Sequence, residues 1–120
     1  MEFKTNVPIY LQVIEDMKRK LIAGSLTLGA KLPSSRELAL EYEINPNTAA
    51  RIYNEMEAMG LSYTRRGIGT FVTEDATIID RLKQEQTHEI VKEFAMQLQD
   101  MGYAPEEVLA LLQAYYEKSK

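Results

Sequence analysis

Asn47, Thr48 and Arg51 can each hydrogen-bond the edges of bases, and they lie close together in the chain. Pro46 precedes them, and proline favours the first position of a helix, where its missing N–H costs nothing. Arg51 follows Asn47 by about one helical turn, so the two side chains share a face. Short polar side chains and an arginine at the exposed start of a helix are typical of a helix that enters the major groove of DNA.

The residues before this helix predict another helix that meets it at a tight turn. Ser34 and Glu37 form an S-x-x-E capping box, which begins a helix at about Ser35. Asn45 suits the N-cap of the next helix, and Gly60 suits a left-handed cap at its end. Apolar residues at helical spacing are expected to form the buried stripe of that second helix: Ala49, Ile52, Tyr53, Met56 and Met59. This arrangement predicts a helix-turn-helix, in which one helix braces the other.

A β-hairpin is expected directly after the second helix. Residues 61–64 and 70–73 are strand-like, and a short connection with two arginines and two glycines separates them. Glycine permits a positive φ and close approach to another surface. Together these segments predict a winged helix-turn-helix whose DNA-contacting residues are Ser35, Arg36, Asn47, Thr48, Arg51, Arg65, Arg66, Gly67, Gly69 and Thr70.

Five segments of the chain occur in an order that is typical of a known family. They are PIYLQV at 8–13, LPSSRELA at 32–39, NPNTAARIY at 45–53, GL at 60–61 and GIGTFV at 67–72. Together they resemble the DNA-binding domain of GntR-family bacterial transcription regulators over residues 8–73. The short segment after the hairpin is similar to that of the YtrA-like subgroup, whose members carry a two-helix dimerisation segment instead of a large effector domain.

The resemblance implies a DNA-binding transcription regulator, more often a repressor, without enzymatic activity or a cofactor. It places Arg36 and Thr48 at positions that contact DNA, and Gly69 in the wing that approaches the minor groove. Ala50 stands where some relatives carry a contacting arginine, which indicates a changed base preference or weaker contacts. Glu43 replaces the glycine often found in the turn, so the turn is not expected to follow the standard geometry. The resemblance does not identify a small-molecule effector.

The charge of the chain favours an alternative to DNA binding. The net charge is −4, whereas a DNA-binding domain is usually basic. Residues 1–75 carry 9 basic and 10 acidic side chains, and residues 76–120 carry 5 and 8, so the acidity is concentrated in the second part. The alternative is a winged-helix module that binds a protein through the same face. An enzyme is the weakest reading: His88 has no convergent partners in the sequence, and no cysteine is present to bind a metal.

We therefore predict a mainly α protein with a small β-hairpin: a winged helix-turn-helix domain over 1–75 and a two-helix dimerisation tail over 76–120. A helix over 8–23 completes the first domain, and tail helices are expected over 78–102 and from Pro105. Two helices leave apolar surface uncovered, so a homodimer is expected, with a monomer whose tail folds back on the winged domain as the alternative. The expected interface comprises Ile79, Leu82, Ile90, Val91, Phe94, Leu98, Met101, Leu109, Leu112 and Tyr116.

The sequence contains neither a transmembrane-length apolar run nor the charged start and apolar stretch of a signal peptide. A cytoplasmic location is therefore expected. Phe94, Met101, Tyr103 and Tyr115 are the candidates for a ligand pocket in the tail, although core or interface packing explains them more simply.

Overall fold

The computed structural model describes residues 1–119 and has five helices and one hairpin in that range. The elements in order are α1 (Ile9–Ala23), α2 (Ser35–Tyr42), α3 (Pro46–Ala58), β1 (Ser62–Arg65), β2 (Gly69–Val72), α4 (Ala76–Asp100) and α5 (Pro105–Lys118). The chain divides into two compact units, Met1–Lys83 and Gln84 onwards. The predicted fold class, a mainly helical winged helix-turn-helix, is confirmed.

The core of the first unit is built from the apolar faces of α1, α2 and α3. Val13, Leu38, Ile52, Met56 and Val72 are the largest side chains that solvent does not reach. They come from four different elements, and the spacing of the helical ones is that of an amphipathic helix with one buried stripe. This core sets the position of α3, because its buried stripe fixes which side chains remain on the outside.

The turn between α2 and α3 follows the predicted caps. The Oγ of Ser34 accepts a hydrogen bond from the backbone N–H of Glu37 at 3.1 Å, and the Glu37 carboxylate accepts one from the N–H of Ser34 at 3.0 Å. Asn45 caps α3 by accepting from the N–H of Asn47 at 2.8 Å. Glu43 adopts the left-handed conformation with φ 56°, which glycine favours at such a turn. The turn therefore keeps a glycine-like backbone although Glu43 replaces glycine, and the strain costs about 1 kcal/mol of stability.

The predicted hairpin is present, with slightly shifted strand bounds and one unexpected neighbour. Its strands begin and end one residue away from the predicted bounds, and Arg65 pairs with Gly69 as the last pair before the tip. The backbone on either side of Lys31 also bonds to β2: the N–H of Leu32 donates to Thr70 at 2.8 Å, and the N–H of Val72 donates to Ala30 at 2.8 Å. The segment before α2 is therefore tied to the wing.

The beginning of α4 carries two of the residues predicted for the dimer interface, and both contact the first unit. Leu82 is 6 % exposed within the core of the first unit, and Ile79 packs against that core. The first turns of α4 are apolar because they cover the winged domain, so Leu82 in particular has little surface left for a partner chain. The first compact unit accordingly extends to Lys83.

No helix within residues 1–119 combines the length and the apolar character needed to cross a membrane. α4 has the length, but charged side chains recur along it.

A polar cluster connects α1 to α2 beside the core. The Tyr42 hydroxyl donates to Asp16 at 2.7 Å and accepts from the Nζ of Lys20 at 2.9 Å. The Tyr42 hydrogen bond, followed by the Lys20 charge, holds the pKa of Asp16 below its ordinary value, while burial raises it in opposition. Burial chiefly raises the pKa of Tyr42, so its hydroxyl remains a donor at neutral pH.

Replacing Tyr42 with Phe is expected to lower the free energy of unfolding by about 1–2 kcal/mol, because the cluster loses hydrogen bonds to two charged groups. Tyr63→Phe is the matched control, since its hydroxyl donates to Glu74 at an exposed site and its loss should cost less. The folded-state pKa of Asp16 is depressed, so the Tyr42 contribution is complete above the unfolded pKa of about 4 and is lost as the pH falls through the folded value. Urea titrations of both variants at several pH values measure this, and equal losses in the two variants would contradict it.

Candidate nucleic-acid interface

The exposed face of α3 carries the side chains that were predicted to read bases. Asn47 and Arg51 are exposed and Thr48 is half-buried, whereas Ala49 and Ile52 on the other side are 0 % exposed. The hydroxyl of Tyr53 donates to the carbonyl of Pro33 at 2.5 Å, which ties α3 to the segment before α2. The polar face is therefore held rigidly and points away from the core.

The start of α2 presents a second pair of predicted residues. Ser35 is half-buried and Arg36 is exposed in the first turn. Ser34, which precedes them, is used as the N-cap. A cation in the first turn is disfavoured by the helix dipole, so the fold alone does not account for Arg36.

The wing presents the remaining predicted residues. Arg65, Arg66 and Gly67 are exposed, and Gly69 and Thr70 are half-buried. The N–H of Ile68 donates to the carbonyl of Arg65 at 2.9 Å and closes the turn. Behind the tip, the rings of Tyr63 and Phe71 stack with their centroids 5.6 Å apart.

Lys31 is a cation of this region that the sequence analysis missed. Its Cε would lie 2.8 Å from a Cβ built on Gly69, so the lysine stem occupies the space that a side chain there would need. Its charge also helps to hold the pKa of Glu37 below the ordinary value, after the larger effect of the hydrogen bonds with Ser34. Lys31 thus lies between the wing and the start of α2. Nothing local in the sequence indicates this, because the pairing of Lys31 with Phe71 joins distant segments.

The ion pairs of the chain show which positive charges are already engaged by carboxylates. On α1, ion pairs connect Lys18, Arg19 and Lys20 to Glu15, Asp16 and Glu41. The cations of the candidate interface take part in none of these pairs: Arg36, Arg51, Arg65 and Arg66. Their charges are consequently available to an anionic partner. Arg51 does have one neighbour, the ring of Tyr10, at 3.8 Å from the guanidinium carbon.

The second unit carries no comparable polar constellation. Within the described residues, no group of three or more His, Asp or Glu side chains is placed to hold a metal ion, and His88 lies exposed on α4. A groove of about 490 Å³ is lined by Ala95, Gln99, Tyr103, Pro105, Val108 and Leu109. Of the four residues considered for a ligand pocket, only Tyr103 borders it.

The sequence profile described as "Bacterial regulatory proteins, gntR family" matches residues 9–72. The chain belongs to the GntR family. The match contains α1, the helix-turn-helix and the whole wing, so the residues of the candidate interface all lie within or at the ends of GntR-family elements. The chain is therefore a transcriptional regulator with a DNA-binding domain.

Relatives and solved structures agree with this assignment. The chain is 41 % identical over 116 residues to the HTH-type transcriptional regulator YhcF of Bacillus subtilis, covering 97 % of this chain and 96 % of YhcF. It is 44 % identical over 73 residues to the HTH-type transcriptional repressor YtrA of Bacillus subtilis, covering 61 % of this chain and 56 % of YtrA.

Two solved structures cover different extents of the chain. A GntR-family transcriptional regulator from Listeria monocytogenes matches with a TM-score of 0.87 and 32 % identity, covering 93 % of this chain and 98 % of that one. The DNA-binding domain of AraR in complex with an operator matches with a TM-score of 0.54 and 29 % identity, covering 61 % of this chain and 86 % of that one.

Substituting Gly69 tests whether the wing is built around Lys31. Gly69 has φ 147° and Gly67 has φ 78°, both unfavourable for a residue with a Cβ, so alanine at either position is strained by about 1–3 kcal/mol. Only at Gly69 would the new Cβ meet Lys31, and at Gly67 it would meet nothing within 4 Å. Gly69→Ala is therefore expected to displace the lysine and weaken DNA binding on all sequences, lowering the salt slope of log K by about 1.

Gly67→Ala serves as the control. Its melting temperature should be similar to that of Gly69→Ala, but its salt slope should equal that of the unsubstituted protein. Thermal melts and DNA titrations at several salt concentrations compare the two. Equal salt slopes for Gly69→Ala and the unsubstituted protein would show that Lys31 does not act at the wing.

Proposed function

We propose that this GntR-family chain represses transcription by binding a near-palindromic operator as a homodimer. The observation that carries the proposal is the exposed face of α3, where Asn47 and Arg51 are held outward by a fully buried stripe on the opposite side. Arginine pairs in bidentate fashion with guanine and asparagine with adenine, so this face has the donors and acceptors that major-groove reading requires.

The surrounding cations are proposed to contact phosphates. Arg36 at the start of α2, together with Ser35, would position the helix-turn-helix on one strand. Arg65, Arg66, Gly67, Gly69 and Thr70 would approach the minor groove, with Lys31 beside them. Phosphate contacts supply affinity and register but carry no sequence information, so specificity is assigned to α3.

The homodimer is proposed from the apolar faces of the second unit. Ile90, Met101, Leu109 and Tyr116 are each about two-thirds exposed, and no residue of α5 is buried. Large apolar side chains that are exposed in such number favour a partner surface, because monomeric proteins rarely expose large apolar patches. The interface is proposed to contain the residues predicted beyond Lys83: Ile90, Val91, Phe94, Leu98, Met101, Leu109, Leu112 and Tyr116.

Two linked winged domains would compensate for the few cations that each one carries. Once the first domain is bound, the second contact becomes intramolecular, and affinity can rise by about 10²–10⁴ without any new contact. Repression is proposed from the similarity to YtrA of Bacillus subtilis, which is a repressor.

Arg51→Ala tests the reading of bases. If Arg51 pairs with a guanine, the variant should lose about 1–3 kcal/mol of binding free energy on a duplex selected by the unsubstituted protein, and much less on random duplexes. Arg19→Ala is the control, since Arg19 is ion-paired to Asp16 on α1. Fluorescence anisotropy titrations on both duplexes measure the difference. An equal loss on both would assign Arg51 to phosphate, and no loss on either would remove it from the interface.

Phe94→Asp tests the dimer. Phe94 shares the apolar stripe of α4 with Ile90 and Met101, so the variant would bury two unpaired carboxylates across a symmetric interface. Met96 lies on another side of the same helix and is 52 % exposed, compared with 39 % for Phe94, which makes Met96→Asp a matched control. Sedimentation at several concentrations should give monomers for Phe94→Asp and dimers for the control. A Phe94→Asp variant that remained dimeric would exclude this stripe from the interface.

A further inference from the structure

We infer that Tyr10 is a positioning residue for DNA reading: its ring holds the guanidinium of Arg51 in the orientation that the base contact needs. The inference rests on the proposed function of Arg51. It assigns a role to α1, which otherwise serves as the packing support of the helix-turn-helix.

The geometry is that of a close cation–π contact. The guanidinium carbon of Arg51 lies 3.8 Å from the centroid of the Tyr10 ring, which is the separation of stacked planar groups. Such a contact occupies the face of the guanidinium and leaves its N–H groups, which point outward in its plane, free to donate. A stacked arginine therefore keeps the donors that a bidentate pair with guanine uses.

The rest of the environment favours this orientation. Arg51 is exposed on α3 and takes no part in the ion pairs that engage the cations of α1. An exposed arginine without a fixed neighbour samples many rotamers, and ordering it on binding costs free energy. The Tyr10 ring reduces that cost by restricting the arginine before DNA arrives.

Tyr10 is itself well anchored. Its ring is half-buried and packs against the core of the first unit. The first turn of α1 lacks a side-chain cap at Pro8, but Gln12 ties the preceding segment to the helix. Its side-chain amide donates to the carbonyls of Lys4 and Val7 at 2.9 and 2.8 Å, and its oxygen accepts from the N–H of Lys4 at 2.8 Å. The ring that contacts Arg51 is thus held by the core and by a hydrogen-bonded helix start.

A double-mutant cycle separates positioning from simple packing. Tyr10→Leu removes the aromatic face and keeps apolar volume, whereas Tyr10→Phe keeps the face and removes the hydroxyl. Each is made alone and together with Arg51→Ala in the full chain. Binding is measured on a duplex selected from a random pool by the unsubstituted protein and on a random duplex of equal length, with melting temperatures alongside.

Tyr10→Leu is expected to weaken binding to the selected duplex about 2- to 5-fold relative to Tyr10→Phe, the range of a cation–π contact at an exposed site. The ratio of selected to random binding should fall with it. In the Arg51→Ala background the two Tyr10 variants should bind equally, because the residue through which Tyr10 acts is gone.

The same Leu-to-Phe ratio in both backgrounds would overturn the inference, since Tyr10 would then act independently of Arg51. Arg51→Ala binding the selected duplex as well as the unsubstituted protein would instead overturn the base-reading role of Arg51 in the proposed function. The two failures are thereby distinguishable.

Discussion

Ala49, Ile52 and Met56 occupy one side of α3 and are completely enclosed by α1, α2 and the wing strands. This buried stripe is the constraint on which the rest of the interface depends. Replacing Ile52 or Met56 with alanine would lower the free energy of unfolding by about 2–5 kcal/mol, a large part of the stability of a small domain. Because α3 cannot rotate without exposing the stripe, its polar side is presented in one orientation.

The other elements are positioned relative to α3 by short polar and backbone contacts. Tyr53 bonds to the segment before α2, and that segment pairs with β2 on either side of Lys31. The cations of α1 are meanwhile engaged by carboxylates in the Asp16–Tyr42–Lys20 cluster and its neighbours. Arg36, Arg51, Arg65 and Arg66 take no part in those pairs, so an acidic chain can still present positive charge at α2, α3 and the wing.

Local signals predicted most of the fold. The caps at Ser34 and Asn45 and the glycine-containing hairpin depend on neighbouring residues, and the structure has them within a residue or two of the expected bounds. Contacts between distant segments were not predictable in this way. The approach of Lys31 to Gly69 and the contact of Tyr10 with Arg51 each join residues more than a helix apart in sequence. Leu82 was predicted to face a partner chain because its periodicity is that of any buried stripe, and periodicity does not say what covers it.

In the proposed function, α3 reads bases and two copies of it do so on one DNA. Selection of bound duplexes from a random DNA pool by the full chain tests this most directly. We expect enrichment of a near-palindrome whose half-sites lie about one helical turn apart, each with a guanine for Arg51. Retention of folded protein on DNA without any enriched sequence, or enrichment of a single unpaired half-site, would contradict it.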